Sequence, residues 1–235
     1  RHIDDPYKRQ AFTMEDPRPK VAFIGDSFGR DFMNVLNELQ ILDDLEASKW
    51  LISQACAPFF LRETEQDLRN IWDTVDCGDY DRYKSRKMLA AVAAADVVVL
   101  ASRWQSWHQP YIVETIENIG VISAARILLV GPKNFGEVST DRLLRIPASQ
   151  RPAFRSDPEE DLIVTNDLFR QIEGVTFLDI VSAFCDLKGG CQQVIQTGQL
   201  ISQDGTHLTR SGAVAVGVAL DQDYGLRTLF GLADR

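Results

Sequence analysis

Ser27 stands in Gly25-Asp26-Ser27-Phe28-Gly29, directly after the apolar run Val21-Ala22-Phe23-Ile24, and Asp204-Gly205-Thr206-His207 stands near the far end of the 235-residue chain. The two segments supply an alcohol, an imidazole and a carboxylate. Acyl transfer through a covalent ester needs that set: a hydroxyl to attack a carbonyl, a base to take its proton, and an acid to orient the base. The chain offers three histidines. His2 lies in a polar terminal segment, and His108 lies in the aromatic stretch Trp104 to Pro110 with no carboxylate close in sequence. His207 follows Asp204 by three residues, so a single turn of chain aims the carboxylate at one ring nitrogen and leaves the other for Ser27. The plainer alternatives are that Ser27 caps a helix and that Asp204 to His207 is a surface turn, since serine caps helices and Asp and Gly favour turns.

The elements that must position these groups alternate along the chain. Lys20 to Gly25 reads as a buried strand and Arg30 to Leu42 as an amphipathic helix with Phe32, Val35, Leu36 and Leu39 on one face. Trp50 to Ser53 is a short strand candidate, Lys84 to Ala95 an alanine-rich helix, and Asp96 to Ala101 the clearest β-branched core strand. A helix over Tyr111 to Ala124 and a strand over Arg126 to Gly131 follow, the strand ended by Pro132. Lys133 to Pro158 is loop-rich; Pro158 then opens a helix to about Ile172, Val175 to Leu178 is a strand, and Thr209 to Leu220 is a closing helix. This alternation predicts an α/β fold with a mainly parallel central sheet covered by helices on both faces, where ligands gather at the carboxyl ends of the strands. Ser27 falls just past the first strand and before the first helix, where backbone N–H groups and the helix dipole stabilise an oxyanion. The same five residues fit G-x-S-x-G, the elbow of an α/β-hydrolase, but that fold needs several strands before its nucleophile and only 24 residues precede Gly25.

Composition narrows the function classes. A formal charge of -9 argues against a general nucleic-acid or anionic-membrane binder. No run of ~18 apolar residues appears. Neither cysteine pair has C-x-x-C spacing and the chain has three histidines, so no zinc site is expected, and acyl transfer through Ser27 needs neither a metal nor an organic cofactor. The four cysteines, Cys56, Cys77, Cys185 and Cys191, suit two local disulfides, Cys56 with Cys77 and Cys185 with Cys191, although they allow three connectivities. Four reduced, buried thiols in a cytosolic protein are the alternative, whereas oxidised pairs place the domain outside the cytoplasm. The chain opens on Arg1 with no secretion signal, which suggests a processed product or a piece of something larger.

Gly25-Asp26-Ser27 after the first strand, with Asp204 and His207 in a D-x-x-H segment before the last helix, resembles the SGNH (GDSL) hydrolase superfamily. The likeness extends to the SGNH domains fused to membrane-embedded acyltransferases of the acyltransferase-three family. It rests on Cys56-Ala57-Pro58, Arg103-Trp104 after the D-V-V-V-L strand, Gly131-Pro132, and the cysteine pair leading to D-G-T-H-L-T-x-x-G-A over Asp204 to Ala213. It covers about Val21 to Leu220, and the closing block is its most specific part.

The resemblance implies a three-layer α/β/α, flavodoxin-like catalytic domain over residues 20–235, after an extension or linker at 1–19. It implies Ser27 as nucleophile, His207 as base and Asp204 as its orienting acid. It further implies O-acyl, chiefly acetyl, transfer to a cell-surface polysaccharide or lipid-linked glycan in the bacterial periplasm, with a fused or associated membrane domain delivering the acyl group. One departure stands out: Ala55 or Cys56 falls near the family's oxyanion Gly, and Ser102-Arg103-Trp104 replaces Gly-x-Asn. The oxyanion donors expected here are therefore the backbone N–H groups of Ser27 and Ala55 and the Arg103 guanidinium, unless Arg103 pairs with a surface carboxylate. Asp26, Trp104 and Trp107 are the expected substrate contacts, the indoles as flat rings for sugar faces. A free-standing secreted esterase or lipase, a degenerate glycan-binding module, and a cytosolic phosphate-binding domain are the competing readings.

Overall fold

The computed structural model describes residues 11–13, 15–52, 58–60, 86–186 and 188–233. Five strands, β1 (Lys20–Gly25), β2 (Glu46–Leu51), β3 (Val97–Ala101), β4 (Arg126–Val130) and β6 (Thr176–Leu178), form one parallel sheet in the order β2-β1-β3-β4-β6. Strands β1, β3 and β4 are apolar at nearly every position because helices cover both faces of the sheet. Val21, Phe23, Val97, Val99, Leu128 and Val130 point into one core, and Ala22, Ile24, Val98, Leu100, Ile127 and Leu129 into the other. Helices α1 (Ser27–Glu38), α6 (Ile180–Phe184), α7 (Arg210–Tyr224) and α8 (Leu226–Leu229) close the first core. Helices α2 (Arg86–Ala94) and α3 (Gln109–Ile122) close the second, and α5 (Glu160–Phe169) crosses between them, with Leu162 in the first and Phe169 in the second. This is the expected three-layer α/β/α fold with a parallel central sheet.

Several element bounds differ from expectation, each for a local reason. Helix α1 starts at Ser27 rather than Arg30, because Asp26 caps it: the Asp26 carboxylate accepts the Phe28 N–H at 2.8 Å. It stops at Glu38, and Gln40 then adopts a left-handed φ of 57°. Strand β2 begins at Glu46, earlier than the apolar signal at Trp50, because its register is fixed by pairing with all of β1. Between β4 and α5 the chain forms α4 (Thr140–Arg145) and the two-residue strand β5 (Arg155–Ser156), which pairs antiparallel with β7 (Cys191–Gln192). The Cys185–Cys191 disulfide is present and sits beside this ribbon, whereas the expected Cys56–Cys77 pair lies outside the described residues.

Candidate active site

The turn after β1 is held by close backbone packing. A Cβ added at Gly25 would sit 1.7 Å from the Ala101 carbonyl oxygen at the end of β3, so only glycine lets the two strand ends approach. The next residue, Asp26, is 3% exposed. One of its oxygens caps α1, and the other accepts the Ser102 hydroxyl at 2.7 Å and the Arg103 N–H at 2.8 Å. The capping task thus falls to Asp26, and the Ser27 hydroxyl is left to bond elsewhere. Its Oγ lies 2.9 Å from His207 Nε2. The Ser27 N–H, at the first position of α1, is one of the donors a helix leaves unsatisfied at its start.

The Asp204–His207 turn is built around one carboxylate. Asp204 Oδ1 accepts the N–H groups of Thr206 (2.9 Å) and His207 (2.7 Å), the Thr206 hydroxyl (3.0 Å) and the Ser202 hydroxyl (3.1 Å). With Oδ1 so occupied, Oδ2 faces the imidazole, 2.6 Å from His207 Nδ1. Nδ1 then carries the proton and Nε2 is the acceptor for Ser27. Partial burial pushes the Asp204 carboxyl up, but the His207 ring, the His207 and Thr206 N–H groups and the Thr206 hydroxyl outweigh it and hold the carboxyl well below the usual range. The His207 and Asp204 side chains are 45% and 53% exposed, so the pair faces solvent.

The remaining expected site residues fall differently. Ala55 lies outside the described residues. The Arg103 N–H is taken by Asp26, while its guanidinium forms no ion pair among the described residues and borders a cavity of ≈ 440 Å³. That cavity adjoins the Ser27–His207–Asp204 cluster at Phe28 and Thr206 and is walled by Trp107, Lys133, Asn134, Glu159 and Asp161 among others. Trp107 stands at it half exposed. Trp104 is 3% exposed, donates its indole N–H to the Val130 carbonyl at 2.9 Å and packs on Phe59, His108 and Phe169, so its faces serve the core. Asp26, also expected to meet substrate, spends its carboxylate on three internal donors. His108 is buried in this aromatic cluster, accepts the Gln105 N–H on Nδ1, and is lowered to about 4 by burial.

Four contributors went unrecognised in the sequence. Phe28 sets its ring edge-on to the His207 imidazole with centroids 5.9 Å apart. Asp31 and Lys133 form a buried ion pair behind Phe28. Asn134 binds the Gly136 N–H and the Glu159 carboxylate, shaping the loop that follows β4. The available signal was the polar Lys133-Asn134 pair directly after Gly131-Pro132, at the carboxyl end of a core strand.

None of the curated proteins matches the chain. Among solved structures, the acetyl xylan esterase AlAXEase is similar at 14% identity and a TM-score of 0.47, over 87% of this chain and 98% of its own. A carbohydrate acetylesterase family member from Sinorhizobium meliloti is similar at 14% identity and 0.41, over 92% and 100%. A GDSL-like lipase from Parabacteroides merdae, itself described as a candidate, is similar at 13% identity and 0.44, over 90% and 98%. The family model described as "SGNH domain (fused to AT3 domains)" matches residues 2–222, nearly the whole chain, and the chain belongs to that SGNH domain family.

Proposed function

We propose that this domain transfers an acyl group, acetyl in the first instance, to a hydroxyl of a cell-surface glycan through an ester on Ser27. The observation that carries the reading is the 2.9 Å contact of Ser27 Oγ with His207 Nε2, with Asp204 on the opposite ring nitrogen. Ser27 Oγ attacks the carbonyl carbon of the donor ester while its proton passes to Nε2. The oxyanion is met by the Ser27 N–H, by the Arg103 guanidinium, and by the Ala55 N–H as a third donor. Collapse breaks the bond to the donor oxygen, which leaves with the proton from Nε2. A sugar hydroxyl then gives its proton to Nε2 and attacks the acyl carbonyl, and collapse breaks the ester bond to Ser27 Oγ, which takes the proton back from Nε2 and is restored. Asp204 remains ionised throughout and stabilises the imidazolium. Neither a metal nor an organic cofactor takes part in this scheme.

The family description, fusion to AT3 domains, supports a membrane acyltransferase as the supplier of the acyl group. The Cys185–Cys191 disulfide supports an oxidising, periplasmic setting. In this scheme residues 20–235 are the catalytic unit and 1–19 an N-terminal extension or linker. The openness of His207 and Asp204 favours a second reading, an esterase, because water reaches the acyl-enzyme freely. Labelling by a fluorophosphonate tests the common step: the wild-type domain is expected to be labelled and Ser27→Ala not at all. Labelling that persists in Ser27→Ala removes Ser27 as nucleophile. Partition of acetyl from p-nitrophenyl acetate between glycan and water then separates transferase from esterase.

A further inference from the structure

Lys133 is 1% exposed and is the only Lys or Arg among the described buried residues. Lysine is seldom buried without a partner, because taking an ammonium out of water is costly. Here Nζ lies 2.9 Å from Asp31 Oδ2 and 3.7 Å from the centroid of the Phe28 ring, within cation–π range. Burial draws the amine below the ordinary lysine value, while Asp31 in contact and Asp26 and Asp204 nearby draw it back up.

Each partner leads to a reacting group. Phe28 directly follows Ser27 and meets the His207 ring edge-on. Asp31 lies about one turn of α1 beyond Ser27, and the oxygen that faces Lys133 also accepts the Leu208 N–H at 3.0 Å, one residue from His207. The loop that carries Lys133 is itself bonded into the Asp204–His207 turn, through the Phe135 N–H to the Gly205 carbonyl at 2.7 Å.

We infer that Lys133 is a positioning residue: its ammonium, gripped by Asp31 and the Phe28 face, clamps α1 against the Asp204–His207 turn and fixes the separation of Ser27 Oγ from His207 Nε2. The inference rests on the acyl-enzyme reading of Ser27. The Lys133 ammonium is 1% exposed and committed to Asp31 and the Phe28 face, so its loss is expected to show in the chemical step more than in substrate binding. An ion pair that merely holds the fold together would instead lower the unfolding midpoint and leave the folded enzyme at full rate.

Steady-state turnover of p-nitrophenyl acetate by Lys133→Met and Lys133→Arg, read beside their unfolding midpoints, decides between the two. Lys133→Met is expected to lose about 10- to 100-fold in kcat with KM within about twofold of wild type. Lys133→Arg, which keeps a cation over the ring, is expected to recover most of that loss. A folded Lys133→Met with wild-type kcat overturns the clamp, as does a loss confined to KM. Should Lys133→Met fail to fold, Phe28→Leu carries the test: a kcat-specific loss supports the clamp and an unchanged kcat removes it. Ser27→Ala, run in the same assay, separates the two levels. Turnover surviving in Ser27→Ala defeats the acyl-enzyme itself, whereas its abolition beside an unaffected Lys133→Met defeats the clamp alone.

Discussion

The Asp26 carboxylate accepts the Ser102 hydroxyl at 2.7 Å, tying the turn that bears Ser27 to the loop after β3 across the carboxyl ends of two parallel strands. The same carboxylate caps α1 and takes the Arg103 N–H, so one buried side chain sets both the direction of the first helix and the course of the loop that carries Arg103 and Trp104. Its removal strands three donors. Asp26→Ala is expected to cost about 2–4 kcal/mol of unfolding free energy, one share for the lost cap and one for donors left without acceptors. Asp26→Asn keeps one acceptor oxygen and is expected to cost about half as much. Urea unfolding measures both, and an Asp26→Ala within 0.5 kcal/mol of wild type, roughly the scatter of neutral surface changes, contradicts the assigned role.

Asp204 orients the imidazole and stays ionised. Because hydrogen bonds depress its carboxyl far below the usual range, its ionised form persists as pH falls through the range of a rate assay. A single proton is therefore expected to quench the reaction on the acid side, and log(kcat/KM) is expected to fall with a slope of one. A slope of two would show that a second group, Asp204 included, takes up a proton over the same range and would contradict the persistent ionisation of Asp204. Asp204→Asn is expected to lower kcat by roughly 10²- to 10⁴-fold, since the amide cannot stabilise the imidazolium and presents the wrong partner to Nδ1–H.

His108 gives the fold its own pH dependence. Burial among Trp104, Trp107 and Phe59 favours the neutral ring and lowers it to about 4, against about 6.5 in an unfolded chain. Between these values the unfolded state binds more protons than the folded one, so stability rises with pH. The contribution is complete above about 6.5 and is lost as pH falls toward 4, a span of roughly 3 kcal/mol. His108→Phe removes the titration. The difference in unfolding free energy between wild type and His108→Phe is expected to change by that amount from pH 7 to pH 4, and a pH-independent difference would falsify the assignment.

The fold was legible because a strand buried on both faces, such as Val97 to Ala101, is apolar at every position whatever it packs against. The juxtaposition of Ser27 with Asp204 and His207 was legible because Asp204 and His207 share one turn, which leaves only Ser27 to be brought from afar. The roles of Asp26, Trp104 and Lys133 were not, because each depends on partners distant in sequence. Whether an indole lies at a rim or in a core is decided by where its N–H finds an acceptor, and for Trp104 that is the Val130 carbonyl on the neighbouring strand. The short elements between Lys133 and Pro158 were hidden for a related reason: β5 exists only through its pairing with β7.

Gly205 meets two constraints at once. Its φ of +83° is in the region where a Cβ is strained, and a Cβ there would lie 2.4 Å from the Gly136 carbonyl oxygen. The backbone beside that oxygen cannot retreat freely, because the Gly136 N–H is bonded to Asn134 at 2.6 Å and Phe135 is bonded to Gly205 itself. An alanine must therefore displace the turn rather than the loop, and the turn holds both Asp204 and His207. Strain of this kind costs about 1–3 kcal/mol. The larger effect falls on catalysis, since a shift on the order of 1 Å in His207 is enough to lower the rate about 10²-fold. Gly205→Ala is expected to fold, to keep the far-ultraviolet dichroism of wild type, and to lose fluorophosphonate reactivity by at least about tenfold. A Gly205→Ala domain labelled at the wild-type rate would mean that the turn tolerates the methyl group without moving His207, and the packing of the loop after β4 against it would then have no part in setting the site.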